Sequence, residues 1–170
     1  MASWSQITIH PSEVAINALR ESWRWQLGDR WAPIMFSAVG DVFFEVSAGT
    51  IWWLSTATGT LEQVAESREH FALLLEGEAV DEWFLPGLVK LLRIQGKELG
   101  NDQCYTYAIS PVFSGGSFSA ENMHPVSAAE HFSLSGHLHE SIRKLPDGAQ
   151  VQVTINDRVV GKNAAQGRSA

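Results

Sequence analysis

The sequence predicts an α+β fold: a single domain in which an antiparallel β-sheet, a meander with later strands added, is flanked by helices. Three observations carry that prediction. Apolar runs of strand length, Ile34 to Val39, Val42 to Val46, Ile51 to Leu54 and Leu61 to Ala65, follow one another with Gly40, Gly49 and Gly59 as punctuation. Before and after them stand stretches whose apolar residues recur at spacings of three and four, three of them opened by a serine able to cap a helix. The 170 residues, 45% hydrophobic and 18% charged, are enough for one buried core and too few for two ordinary domains. The domain is expected over residues 1–155, with 156–170 a flexible tail of small and polar residues.

Ser12 is placed to cap a helix in which Ile16, Leu19, Trp23 and Leu27 form the apolar stripe and Gly28 the end. The four apolar runs then make the meander. Ser67 caps a short helix that turns Phe71, Leu74 and Leu75 inward, and a second helix is expected from Asp81 to about Gln95. That helix carries Trp83, Phe84, Leu88, Leu91 and Leu92, with Pro86 in its first turns, where proline is tolerated. Gln103 to Ser110 alternates as a strand does, and Pro111 to Asn122, rich in Gly and Ser, reads as a loop. Ser127 and Glu130 form a capping box for a helix through Leu134, Leu138, Ile142 and Leu145. Asp147-Gly148 then turns the chain into a last strand, Gln150 to Ile155.

Charge is the most uneven property of the chain. Between Leu61 and Trp83 seven carboxylates (Glu62, Glu66, Glu69, Glu76, Glu78, Asp81 and Glu82) face one opposing charge, Arg68, so this stretch holds nearly all of the formal net charge of −7. Such a surface attracts and steers a basic partner. The same balance argues against direct DNA or RNA binding, which rests on Lys and Arg neutralising phosphates. No run approaches the roughly 20 apolar residues needed to cross a bilayer, and residues 1–10 lack the features of a signal peptide, so the expected compartment is the cytoplasm. A single cysteine, Cys104, fits a reducing environment.

Seven tryptophans are many for this length. Trp23 and Trp25 lie about 200° apart on a helix, and the strand neighbours Trp52 and Trp53 point to opposite faces, so neither pair fits one apolar layer. Either helices cover both faces of the sheet, or one ring of each pair lies flat on the surface, or Trp53 or Trp25 belongs to an exposed recognition patch. Trp83 adjoins the acidic segment and, with Trp53, is a candidate aromatic anchor.

Chemical motifs are sparse. His131, His137 and His139 are the best metal candidates, yet no Cys lies near them and no H-E-x-x-H or C-x-x-C pattern occurs. Cys104 sits in the apolar strand Cys-Tyr-Thr-Tyr, a setting for an inert thiol rather than a nucleophile. Ser114-Gly115-Gly116-Ser117 lacks the lysine and the strand-to-helix junction of a phosphate loop. No catalytic residue, metal or cofactor is assigned.

Several pieces together carry a family likeness: Gly40-Asp41-Val42-Phe43-Phe44-Glu45, Ile51-Trp52-Trp53-Leu54, Thr58-Gly59-Thr60-Leu61, Val64-Ala65-Glu66-Ser67, Glu82-Trp83 and Gln103-Cys104-Tyr105. Later come Pro111-Val112-Phe113-Ser114-Gly115-Gly116, His131-Phe132, Gly136-His137-Leu138-His139 and Leu145-Pro146-Asp147-Gly148. In order and spacing, from Trp23 to Val151, the chain resembles the C-terminal domain of bacterial type VI secretion immunity proteins that protect against DNase effectors. The resemblance implies an α+β, non-enzymatic, cytoplasmic protein that binds a cognate toxin. Many members carry an additional N-terminal domain, for which this length leaves no room, so the toxin is expected to be a nuclease or another effector acting in the cytoplasm. The family supplies no agreed contact residues.

The expected function is therefore neutralisation of such a toxin by occlusion of its active site. Glu66, Glu69, Glu76, Glu78, Asp81 and Glu82 are expected to supply the electrostatics, and Trp53 and Trp83 the anchors. Two rivals stand beside it: a regulatory or ligand-binding module with no toxin partner, and a small hydrolase or transferase using Cys104 or a histidine.

Overall fold

The computed structural model describes residues 3–155 and 158–164. In chain order the elements are α1 (Trp4–Ile7), β1 (Thr8–Ile9), α2 (Glu13–Ser22), α3 (Arg24–Leu27), β2 (Trp31–Ser37), β3 (Val42–Val46), β4 (Ile51–Leu54) and β5 (Leu61–Ala65). There follow α4 (Arg68–Leu74), α5 (Ala79–Phe84), α6 (Pro86–Ile94), β6 (Gln103–Tyr107), β7 (Met123–Ser127), α7 (Ala128–Ile142), β8 (Gln150–Ile155) and β9 (Arg158–Ala164). The fold is α+β: a five-stranded antiparallel meander in the order β1-β2-β3-β4-β5, with the hairpins β6-β7 and β8-β9 and helices around it.

Alternation along the central strands fills two cores, one on each face of the sheet. Phe43, Ile51, Trp53 and Ala65 point to the face covered by Phe71, Trp83, Phe84, Val89 and Leu92 of α4, α5 and α6. Val42, Phe44 and Leu54 point the other way, onto Leu19 and Trp23 at α2 and Phe132 of α7. Both faces being buried, β3 and β4 read as continuous apolar runs rather than as alternating strands. Of the explanations open for the tryptophans, coverage of both faces is the one the molecule uses.

Several elements differ from the sequence expectation. The helix capped by Ser12 stops at Trp23 (φ −108°, ψ 7°) and restarts as α3, with Gly28 (φ 67°) after it. The break brings Trp23 and Trp25 into a stack 5.7 Å apart, which a continuous helix would have splayed by about 200°. The helix expected over 81–95 is two, because Leu85 takes the left-handed conformation (φ 46°, ψ 51°) and Pro86 opens α6 at its first position. A residue before proline is driven out of the right-handed helical region, so the periodicity continues while the helix does not. The sheet's first long strand starts at Trp31 rather than Ile34, and α1, β1 and β7 are additional.

Regular structure also passes the expected boundary at residue 155. Where a tail was expected from 156, Arg158–Ala164 pairs antiparallel with Gln150–Ile155. Backbone pairing needs no side-chain periodicity, the signal whose absence suggested a tail. Residues 156–157 and 165–170 lie outside the described residues.

Candidate functional site

The acidic segment leads from β5, the edge strand of the sheet, into α4 and α5. Ser67 accepts a hydrogen bond from the His70 backbone N–H at 3.1 Å and starts α4, which puts Glu69 in its first turn. Phe71 is buried beneath, and the chain turns through Leu75 to Glu78 into α5, where Trp83 and Phe84 go inward and Asp81 and Glu82 stay outside. Carboxylates in a first turn are favoured by the helix dipole, so the fold tolerates this charge without pairing it. Glu66, Glu69, Glu76, Glu78, Asp81 and Glu82 are all exposed. The Glu69 carboxyl is held below its ordinary range by its own backbone N–H and then by the Ser67 hydroxyl.

Arg68, the one cation of the segment, does not neutralise it. Its guanidinium pairs with Glu45 of β3, Nε to Oε2 at 2.9 Å. Among the described residues, none of the seven carboxylates from Glu62 to Glu82 is in a salt bridge. The surface therefore keeps its carboxylates outside any ion pair, with Arg68 acting on Glu69 only through space.

The proposed aromatic anchors require correction. Trp53 is 7% exposed and Trp83 6% exposed. Their rings lie 6.4 Å apart and both contact Phe43, at 6.4 and 5.3 Å. Trp53 is on β4, with β3 and β5 on either side, and faces the helices, so its ring builds the core. Trp25, the other ring considered for a patch, is half-buried with its indole N–H donating to the Gly136 carbonyl at 3.2 Å. The apolar side chain that does stand among the carboxylates is Leu73 on α4, 67% exposed. The sequence does not single it out, because it sits at helical spacing among residues that read as core.

The chemical candidates go mainly to structural roles. Cys104 is buried, and burial, with Asp41 and Asp102 nearby, pushes its thiol far up, away from the reactive thiolate. On α7, His131 and His139 turn inward and His137 outward. Among the described residues no three His, Cys, Asp or Glu side chains gather as a metal site would need. The 111–122 loop is held by Asn122, whose side-chain amide donates to the carbonyls of Ile109 and Ser117 at 2.7 and 2.9 Å.

Two features were not legible in the sequence. One is a buried polar cluster between the sheet and α7, built from Asp41, Thr56, His131 and His139. The other is a cleft of about 780 Å³ between α7, the end of β6 and β8, with Thr106 and His131 in its wall beside Phe113, Leu134, Leu138 and Val151. Partners far apart in the chain make both. The one local hint was the pairing of Gly40 with Asp41, a glycine leaving space beside an acid.

Residues 65–139 match the model of a family described as T6SS immunity protein Tdi1, C-terminal. That segment runs from the end of β5 to His139 in α7 and contains the six proposed carboxylates; it is narrower than the likeness drawn from Trp23 to Val151. No curated protein matches the chain. Among solved structures, the crystal structure of Atu4351 from Agrobacterium tumefaciens is similar, with 16% identity and a TM-score of 0.53 over 86% of this chain and 72% of that one. At that identity the likeness speaks for the fold alone.

Proposed function

We propose, from the premise that residues 65–139 match a family of type VI secretion immunity proteins, that this protein binds a cognate toxin and neutralises it without turnover of its own. The observation that carries the reading is the unpaired acidic surface on α4 and α5, which lies wholly inside the matched segment. Glu66, Glu69, Glu76, Glu78, Asp81 and Glu82 supply the attraction, and Leu73 replaces Trp53 and Trp83 as the apolar contact within it.

The toxin this surface suits best is a nuclease. A DNA-binding groove must be basic, and an acidic protein can cover it in place of the phosphates or dock beside it, blocking access to the active site. Inhibition then takes place where the nuclease acts, in the cytoplasm. Among the described residues no helix is long and apolar enough to cross a membrane.

Co-expression with the product of the adjacent toxin gene, scored for survival and co-purification, tests the reading. Survival with a stoichiometric complex is the expected result, and killing that proceeds regardless of this protein overturns it. Reversing charge at Glu78, Asp81 and Glu82 together is expected to slow association roughly ten- to hundredfold at low salt and to flatten its salt dependence. Unchanged kinetics would remove this surface from the interface and leave the regulatory-module reading in its place.

A further inference from the structure

Asp41 and His131 meet through a single hydroxyl. One carboxyl oxygen of Asp41, Oδ1, accepts from the Thr56 backbone N–H at 2.8 Å and from the Thr56 hydroxyl at 3.1 Å, which leaves Oδ2 for a proton. The same hydroxyl oxygen is 2.8 Å from His131 Nε2, and His131 Nδ1 is 2.9 Å from Thr106 Oγ1. A hydroxyl has one proton to give. If Thr56 gives it to Asp41, or to the Gly40 carbonyl also 3.1 Å away, its oxygen accepts from His131 Nε2–H, and in the neutral ring Nδ1 accepts from the Thr106 hydroxyl. The ring lies directly on the turn before β3: a β-carbon at Gly40 would come 2.2 Å from His131 Nε2. His139, two turns further along α7, places Nε2 2.9 Å from the Thr56 carbonyl oxygen. Two strand ends and both inward histidines of α7 thus converge on Thr56.

We infer that Asp41, Thr56 and His131 form a clasp holding α7 to the sheet, in which an acid and a base are buried together with one proton between them, carried on Asp41. With the proton on the acid, both groups are buried in their uncharged forms. A lone buried carboxylate or imidazolium would cost several kcal/mol, whereas carboxyl plus neutral imidazole leaves no net charge inside.

The pair has a consequence for linkage. Burial pushes Asp41 up to about 7 and His131 down to about 4. A raised acid contributes stability that is complete at low pH and lost as pH rises toward 7; a lowered histidine contributes stability that is complete above about 6.5 and lost as pH falls toward 4. The windows overlap and the slopes oppose. Between them the unfolded chain holds one proton, on the histidine, and the folded chain holds one, on the acid, so the site folds without net proton exchange. The other titratable groups facing Asp41 and His131 are His139 from α7 and Cys104 and Tyr107 from β6; burial raises the last two, which stay neutral across this window.

The test is denaturant unfolding from pH 4.5 to 8, read as the difference between each variant and the parent so that the exposed carboxylates cancel. Asp41→Asn is expected to lose stability relative to the parent as pH falls from 6.5, and His131→Gln as pH rises toward 7, each by up to about tenfold in the folding constant per pH unit. The double variant should run parallel to the parent. Single variants that stay parallel to the parent overturn the clasp. Should a single variant not fold, NMR of the parent decides: a neutral His131 imidazole with protonated Asp41 at pH 5.5 supports it, and an imidazolium, or an ionised Asp41, overturns it.

Discussion

Gly136 of α7 lies so close to Ser22 of α2 that a β-carbon on it would stand 2.5 Å from the Ser22 carbonyl oxygen and 2.7 Å from the Ser22 carbonyl carbon. The Ser22 hydroxyl sits between two carbonyls, 2.6 Å from that of Ala18 in its own helix and 2.8 Å from that of Phe132 across the junction. Backbone against backbone gives no side chain room to move aside, so Gly136→Ala must separate the two helices. It is expected to destabilise by about 1–3 kcal/mol. Gly87 of α6 is the contrast, because it is exposed and a methyl group there would meet nothing within 4 Å: Gly87→Ala should stabilise by about 0.5–1 kcal/mol. Urea unfolding of the two variants checks both signs.

Trp53 and Trp83 should behave as core residues. Either one changed to Ala is expected to cost about 3–5 kcal/mol of stability. Weaker toxin binding should follow only from the loss of folded protein, which titration at matched folded fraction would reveal.

Leu73→Ala should do the opposite. The side chain is exposed, so unfolding should shift by less than about 0.5 kcal/mol, while the complex with the toxin weakens by about 1–2 kcal/mol. Calorimetry of binding beside urea unfolding separates the two. Unaltered affinity would take α4's outer face out of the interface.

Cys104 should resist modification. With the thiol buried and pushed far up, alkylation of the native protein at pH 8 is expected to follow unfolding, and to become fast in denaturant. Mass spectrometry of a timed iodoacetamide reaction measures it, and prompt labelling of native protein would show a thiolate that the burial forbids.

The limits of β3, β4 and β5, and the serine caps of α2, α4 and α7, were legible because each depends on neighbours in the chain: an apolar run between glycines, or a hydroxyl three residues from an amide. The break at Leu85 was not, since Leu88, Leu91 and Leu92 keep helical spacing across it and only the proline marks it. Tryptophan identity could not separate core from contact, because a large flat ring serves both. The acidic surface was visible as composition, but the diversion of Arg68 to Glu45, 23 residues away, was not. The clasp was least accessible: Thr56 and His131 are 75 residues apart, and the histidines attracted a metal reading that their surroundings do not support.

Glu45 is a strand residue outside the matched segment 65–139, yet it decides how negative the neighbouring helices look to an approaching molecule. Neutralising it as Glu45→Gln would release a guanidinium beside Glu69 and dim the field over α4 without altering a single residue there. On the proposed reading, capture of a basic partner can thus be retuned from the sheet, by a residue that is not itself part of the capturing surface.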